Sequence, residues 1–403
     1  MLKNMINLIL VILLFNACNK QDIGKDNEIL INGNLNNPNQ SSVIDKKITK
    51  IMKRKHYPGV STVIVKGGEI VWVNSYGFAN TSTEQPFYNH TPLMLASVSK
   101  LFTGIAVMQL VENGLITLDD DINNYLPYEI RNPNFPSQPI TFRMILTHTS
   151  SISDSDAMEN FYSIGDPSIS LAECIESYFS TSGIYYNAVD NFNNNQPNTT
   201  FEYSNMATAL NGYLVELISG IPFNEYCNQN IFNILCMNDT KWFLSEYNDI
   251  NTIANPHNYI SGNYEPIEHY GFADYPDGML HSTVTDLANY MIAMLQNGTL
   301  NNNTILSETS VNEMLTPQIL TIEPNQGLQF DNISFGGISL WGHNGAEQGI
   351  STSLYLDKEN EMGIVVLKNR LNESNIYDTP VFDILYDFGL TLATSGIGNP
   401  ECN

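Results

Sequence analysis

Basic side chains are scarce in this sequence. Seventeen lysines and arginines stand against 42 aspartates and glutamates in 403 residues, a formal net charge of −25. Nucleic acid and anionic membrane surfaces both select for lysine and arginine, so neither is an expected partner. Few cations also means few groups to grip phosphate, which disfavours a nucleotide substrate. Cysteine is sparse too, at five. Cys174, Cys227, Cys236 and Cys402 follow neither a zinc-ligand spacing nor a C-x-x-C redox pattern. The seven histidines form no H-E-x-x-H or H-x-H arrangement, so no metal and no cofactor is expected. A Cys227–Cys236 disulfide and simple buried or unpaired thiols both fit the spacing. No internal repeat is visible, and no apolar run reaches the roughly 20 residues that span a bilayer.

The first 18 residues, "MLKNMINLILVILLFNAC", are a separate object. They hold one early cation (Lys3), a short apolar run from Ile6 to Phe15, and Ala17 before Cys18. That pattern fits an export signal better than a membrane-spanning helix. The small residue followed by cysteine resembles a bacterial lipobox, which implies acylation of Cys18 and a membrane contact through lipid alone. An Asn-rich polar stretch without periodicity follows, and reads as a flexible tether over 19–44.

Next, 42% hydrophobic and 10% aromatic content is enough for a large packed core. "GVSTVIVKGGEIVWVNSYGFA" (59–79) alternates β-branched and apolar residues around Gly67-Gly68, the signature of a hairpin. The sequence predicts helices from about Ser97 to Asn113, stopped by Gly114, and over 206–220, ended by Gly220. It predicts another over 283–298, with Thr285 or Asp286 as cap and Gly298 as terminator. Residues 187–200 read as a polar loop. Strand patterns return at 337–345 and 350–370, with a turn near Lys358–Met362, and a last helix is predicted over 380–393. Strands at both ends thus bracket a helical middle. One sheet built from both ends, with helices on its faces, is the economical arrangement.

Three short motifs are candidates for chemistry. In "LASVSKLFTG" (95–104), Ser97 and Lys100 lie three residues apart, so on a helix they share one face. A lysine among Leu101, Phe102 and Ile105 is costly unless its ammonium has a partner. A serine near a helix N-terminus also sits where backbone N–H groups stabilise developing negative charge. A capping serine with a snorkelling lysine is the plainer alternative. Ser99 points elsewhere, because adjacent residues diverge. Tyr203 and Asn205 in "FEYSNMA" form a Tyr-x-Asn triplet at the start of a helix; Tyr185 and Tyr226 begin two others. A tyrosine serves as base only where nearby cations stabilise its phenolate. "WGHNGAEQG" (341–349) puts His343, Asn344, Gly345 and Ala346 between strand-like runs. Glycine there permits close backbone approach, an open strand edge can pair with a substrate, and the Ala346 N–H can aim at an oxyanion. His269-Tyr270-Gly271 shares the His-x-Gly pattern but lacks a flanking strand signal.

Taken in order, Ser-x-x-Lys, Tyr-x-Asn and His-x-Gly resemble the class C β-lactamase and D,D-peptidase family of active-site serine hydrolases. The resemblance runs over residues 45–395 and includes "LTHTSSI" (146–152), the stretch 203–240 and "DGMLHSTVTDLANYM" (277–291). It implies an α/β (α+β) fold: a sheet part, about 45–80 and 330–395, with a mainly helical part, about 81–329, inserted. Residues 396–403 are left as a tail. It implies that Ser97 is the acylated nucleophile, that Lys100 assists its deprotonation, and that Tyr203 is general base and protonates the leaving group. It further implies that Asn205 holds Lys100 and the substrate amide, that the N–H groups of Ser97 and Ala346 form an oxyanion hole, and that His343, Asn344 and Gly345 line the substrate edge. Class C β-lactamases usually carry Lys-Thr-Gly at the third motif, and His343-Asn344-Gly345 lacks that fixed cation. The expected function is therefore an exported serine hydrolase acting on a small ester, amide or peptide. A true β-lactamase and a non-catalytic penicillin-binding sensor are the alternatives. The natural substrate and the oligomeric state are not legible in the sequence.

Overall fold

The computed structural model describes residues 42–371 and 379–394. The stretch expected to be an export signal, Cys18, most of the expected tether, Cys402 and the expected tail lie outside the described residues. One antiparallel sheet organises the rest. Its strands are β1 (Gly59–Lys66), β2 (Glu69–Asn80), β3 (Gln85–Pro86), β4 (Asp331–Phe335), β5 (Ile338–Glu347), β6 (Ile350–Asp357) and β7 (Met362–Lys368). They lie in the order β4-β5-β6-β7-β1-β2-β3, so early and late strands of the chain meet where β1 pairs with β7, Val63 opposite Val365. Gly67 and Gly68 both take positive φ (54° and 82°) in the two-residue turn between β1 and β2, as a primed hairpin turn requires.

The central strands are buried on both faces, which is why they read as near-continuous apolar runs. On one face, Ile364 and Val366 of β7 pack with helix α1 (Ser42–Lys55), through Ile44, Ile48, Ile51 and Met52. Val381, Phe382 and Leu385 of the last helix, Pro380–Thr391, join the same cluster. On the other face, Val365 and Leu367 join the larger core, which includes α2 (Lys100–Glu112), α3 (Asn205–Ser219) and α4 (Val284–Leu295). Helix α2 is buried from Lys100 through Leu110, as befits a central helix that is apolar all round.

Four details differ from the sequence expectation. Helix α1 begins at Ser42, inside the stretch read as tether; its Ile44-Ile48-Ile51 spacing is one buried helical stripe. The cap of α4 is Thr283, whose hydroxyl accepts the Asp286 N–H, rather than Thr285 or Asp286. Ser97 precedes α2 rather than opening it, because residues Ala96–Ser99 form a 3₁₀ turn. Cys227 is a free buried thiol while Cys236 is disulfide-bonded, so the two are not paired with each other. No helix among the described residues is long and apolar enough to cross a membrane.

Candidate active site

The turn bearing Ser97 is held from two sides. Ala96 adopts a left-handed backbone (φ 49°), costly for a residue with a Cβ. The Leu95 N–H donates to the Leu280 carbonyl at 2.7 Å, and the Thr352 hydroxyl donates to the Leu95 carbonyl at 2.6 Å. Gly345 of β5 packs directly on this turn; a Cβ there would overlap the Leu95 carbonyl and the Thr352 hydroxyl. Sheet and turn therefore fix the serine jointly. Ser99 is buried and accepts the Leu280 N–H at 3.2 Å, a structural role that leaves Ser97 as the serine facing the cavity.

Lys100 is fully buried and spends its donors on three acceptors. Its Nζ lies 2.7 Å from Asn205 Oδ1, 2.7 Å from the Asp277 carbonyl and 3.4 Å from Ser97 Oγ. Burial alone would lower its pKa, but the hydrogen bond to Tyr203 and the acidic Asp277 and Asp154 outweigh that, and the ammonium is held charged. Nζ also stands 5.0 Å from the centre of the Tyr203 ring. Burial raises the Tyr203 phenol, with the Lys100 charge and hydrogen bonds from Ser97 and Lys100 opposing it. The resting pair is thus an ammonium beside a neutral phenol.

Tyr203 and Asn205 are placed by residues that the sequence motifs did not single out. The carboxylate of Asp154 accepts the Ser204 hydroxyl (2.8 Å) and the N–H groups of Asn205 (2.8 Å) and Met206 (3.1 Å), closing the start of α3. Ser204 Oγ in turn accepts the Ala207 N–H. His148 Nδ1 accepts the Ser204 N–H at 3.2 Å, and its ring lies 4.5 Å from that of Tyr203. Burial, with Lys100 and His343 nearby, keeps His148 neutral. "LTHTSSI" marks His148 only through the resemblance, and Asp154 carries no local signal because its contacts form across some fifty residues of chain.

The third motif lies on β5. Strand β4 pairs with β5 only from Ile338 to Gly342, so no described strand covers the outer edge of β5 from His343 to Glu347. A cavity of about 560 Å³ opens there, and Ser97, Tyr203, Asn205, His343, Asn344, Gly345 and Ala346 all line it. Every sequence-predicted site residue lines it except Lys100, which sits beneath, and Cys18, outside the described residues. Phe201, Glu323, Asn325, Gln326, Asp331 and Asn332 complete the wall. His343 is buried, and burial lowers its pKa, with Lys100 acting in the same direction and Asp331 against it. Its Nδ1 meets the Asn344 carbonyl and its Nε2 lies 3.9 Å from Asp331 Oδ2. The tyrosines set aside lie elsewhere: Tyr185 lines a separate cavity of about 630 Å³ beyond Asp154, and Tyr226 is in the core. His269-Tyr270-Gly271 does hold two strand residues, Tyr270 and Gly271, since Tyr270–Phe272 pairs with Tyr162–Ile164, but it lines neither cavity.

The Beta-lactamase family profile matches residues 44–381. The chain belongs to the beta-lactamase family. Among curated relatives, Penicillin-binding protein 4* of Bacillus subtilis (strain 168) is 24% identical over 335 residues, 78% of this chain and 69% of that protein. Beta-lactamase-like protein 2 of Dictyostelium discoideum is 27% identical over 335 residues, 80% of this chain but only 58% of its own length. Among solved structures, a penicillin-binding protein homologue from Pyrococcus abyssi superposes with a TM-score of 0.68 at 24% identity, covering 87% of this chain and 77% of that one. At that identity the likeness speaks for the fold. Membership in the beta-lactamase family supports a serine hydrolase kind of function.

Proposed function

We propose that this protein is an exported serine hydrolase that cleaves an ester or amide bond, D-amino-acid peptides included, through an acyl-enzyme on Ser97. The observation that carries the reading is the buried Lys100 ammonium, 3.4 Å from Ser97 Oγ at the cavity floor and fixed by Asn205 and the Asp277 carbonyl. Burying an ammonium is costly, and its placement against one accessible hydroxyl is intelligible as activation of that hydroxyl. In the form of the Lys100–Tyr203 pair that has lost one proton, Ser97 Oγ attacks the substrate carbonyl carbon while its own proton passes to that pair. The carbonyl oxygen takes up negative charge, received by the N–H groups of Ser97 and Ala346. Collapse breaks the bond to the leaving group, which regains the proton through Tyr203. Water, deprotonated by the same pair, then attacks the acyl carbonyl, and Ser97 leaves with its proton restored.

The third motif supports ester or amide substrates over β-lactams. A neutral, buried His343 supplies no fixed cation for the carboxylate that β-lactams carry beside the ring. In this reading the chain is tethered by lipid at Cys18, and Cys18→Ser is expected to release it from the membrane fraction with hydrolysis per molecule intact. The direct test is a panel of nitrophenyl esters, D-alanyl peptides, D-amino-acid amides and a chromogenic cephalosporin, run on the wild type and Ser97→Ala. Ester or amide turnover lost in Ser97→Ala supports the reading. Turnover that survives the substitution contradicts it.

A further inference from the structure

Beyond the reaction type, which this inference takes from the reading above, the cavity carries a charge preference. Its described lining residues include two carboxylates, Glu323 and Asp331, and no lysine or arginine. Lys100 lies underneath with its donors engaged. The amide lining residues Asn205, Asn325, Gln326, Asn332 and Asn344 add dipoles but no charge. A cleft lined by one sign of charge concentrates ligands of the other.

The imidazole sharpens this into a site. His343 Nδ1 donates to the Asn344 carbonyl, which leaves Nε2 as an acceptor. Nε2 is buried, has no hydrogen-bond partner among the described residues, and stands 3.9 Å from Asp331 Oδ2. The Asp331 carboxylate is the exposed acceptor of the two, so an ammonium group seats on it with the buried imidazole acceptor behind. Their position along the sheet is defined as well. Asp331 opens β4 opposite Gly342, where the uncovered edge of β5 ends. A substrate extended along that edge from Ala346 would run head-on into Asp331. From Ala346 to His343 is three residues, on the order of 10 Å.

We propose that Asp331 and His343 form a subsite for an ammonium group of the substrate, carried about 10 Å from the scissile carbonyl. Glu323 adds to the field that draws it in. The preferred substrates are therefore cationic esters or amides, such as those of an eight-carbon ω-amino acid, and carboxylate-bearing ones are disfavoured.

Two series of nitrophenyl and alkyl esters test this, one varying the charge on an eight-carbon acyl chain, which extends about 10 Å, the other varying it on the alcohol. In at least one series the ammonium member is expected to exceed its neutral isostere in kcat/KM by roughly ten- to a hundredfold, with the carboxylate member lowest. Asp331→Asn should reduce that ratio, and Glu323→Gln should reduce it less. A neutral or anionic member leading in both series overturns the proposal, as does a ratio unchanged in Asp331→Asn. Calorimetry of Ser97→Ala with hexylammonium and with hexanoate needs no turnover: tighter ammonium binding is expected, and equal or reversed affinity contradicts the subsite. Hydrolysis of the neutral ester that ignores Ser97→Ala strikes the hydrolase reading instead, so the two failures are distinguishable.

Discussion

Replacing Ser97 with alanine removes one oxygen atom from the cavity floor, and kcat/KM for a nitrophenyl ester is expected to fall by about 10⁴ or more. A small decrease would mean that another group attacks. The neighbouring pair sets the pH dependence. Lys100 and Tyr203 are both held above their ordinary values, so at neutral pH the pair carries one proton too many to accept another from Ser97. The competent form gains population as pH rises, and kcat/KM for a neutral ester should climb between about pH 6 and 10, with an apparent pKa that belongs to the pair. A profile flat across that range would contradict the assignment. At the third motif, a charge-assisted hydrogen bond is worth about 1.5–3 kcal/mol, one to two powers of ten in rate. Ester hydrolysis should therefore exceed cephalosporin hydrolysis, and His343→Lys should narrow the gap. These residues were legible because each sits in a short motif of fixed spacing. Asp154 was not, since nothing within a few residues of it announces that its carboxylate will close a helix fifty residues on.

Strand β5 and the turn at Ala96 act as one element, because the glycine in the strand packs directly against the strained turn and leaves no room for a side chain between them. Gly345→Ala would push its Cβ against the Leu95 carbonyl and shift the turn that carries Ser97. A displacement near 1 Å costs about a hundredfold in kcat/KM. That loss, with the near-ultraviolet circular dichroism spectrum retained, is the expected result; full activity would mean that the contact does not position the nucleophile. Helix α3 offers the complementary case. Asp154→Ala removes three hydrogen bonds from its start, and a loss of about 1–2 kcal/mol in unfolding free energy is expected alongside slower turnover, read by denaturant titration and ester kinetics. Element existence was largely legible: the Gly67-Gly68 hairpin, α3 ended by left-handed Gly220, and the β6–β7 pair all follow local pattern and turn chemistry. The 3₁₀ turn at Ala96–Ser99 was not, because tertiary clamping by Leu280 and Thr352 imposes it against the preference of alanine.

Across the whole molecule, acidity and burial act together on stability. Burial raises Asp274 and Asp286 to about 7, so each is neutral in the folded protein at pH values where the unfolded chain has already ionised it. Their contribution is fully present below the ordinary carboxylate pKa and is lost as pH rises through about 7. With a net charge of −25 adding self-repulsion, Tm should rise when pH is lowered from about 8.5 to about 6, and Asp286→Asn should flatten that slope. A Tm that rises toward alkaline pH would contradict this. Activity and stability are thus expected to favour opposite ends of the range. The architecture was legible from strand patterns at both ends of the chain, whereas the cavity's charge lining was not, because Glu323 and Asp331 come to line one cavity with His343 only once β4 folds beside β5. The central claim is that Ser97 becomes acylated. Incubating the intact protein with a fluorophosphonate and mapping the added mass by peptide analysis tests it most directly. A single adduct on the peptide containing Ser97, absent in Ser97→Ala, is the expected result; an adduct on another residue, or none on the folded protein, would contradict it.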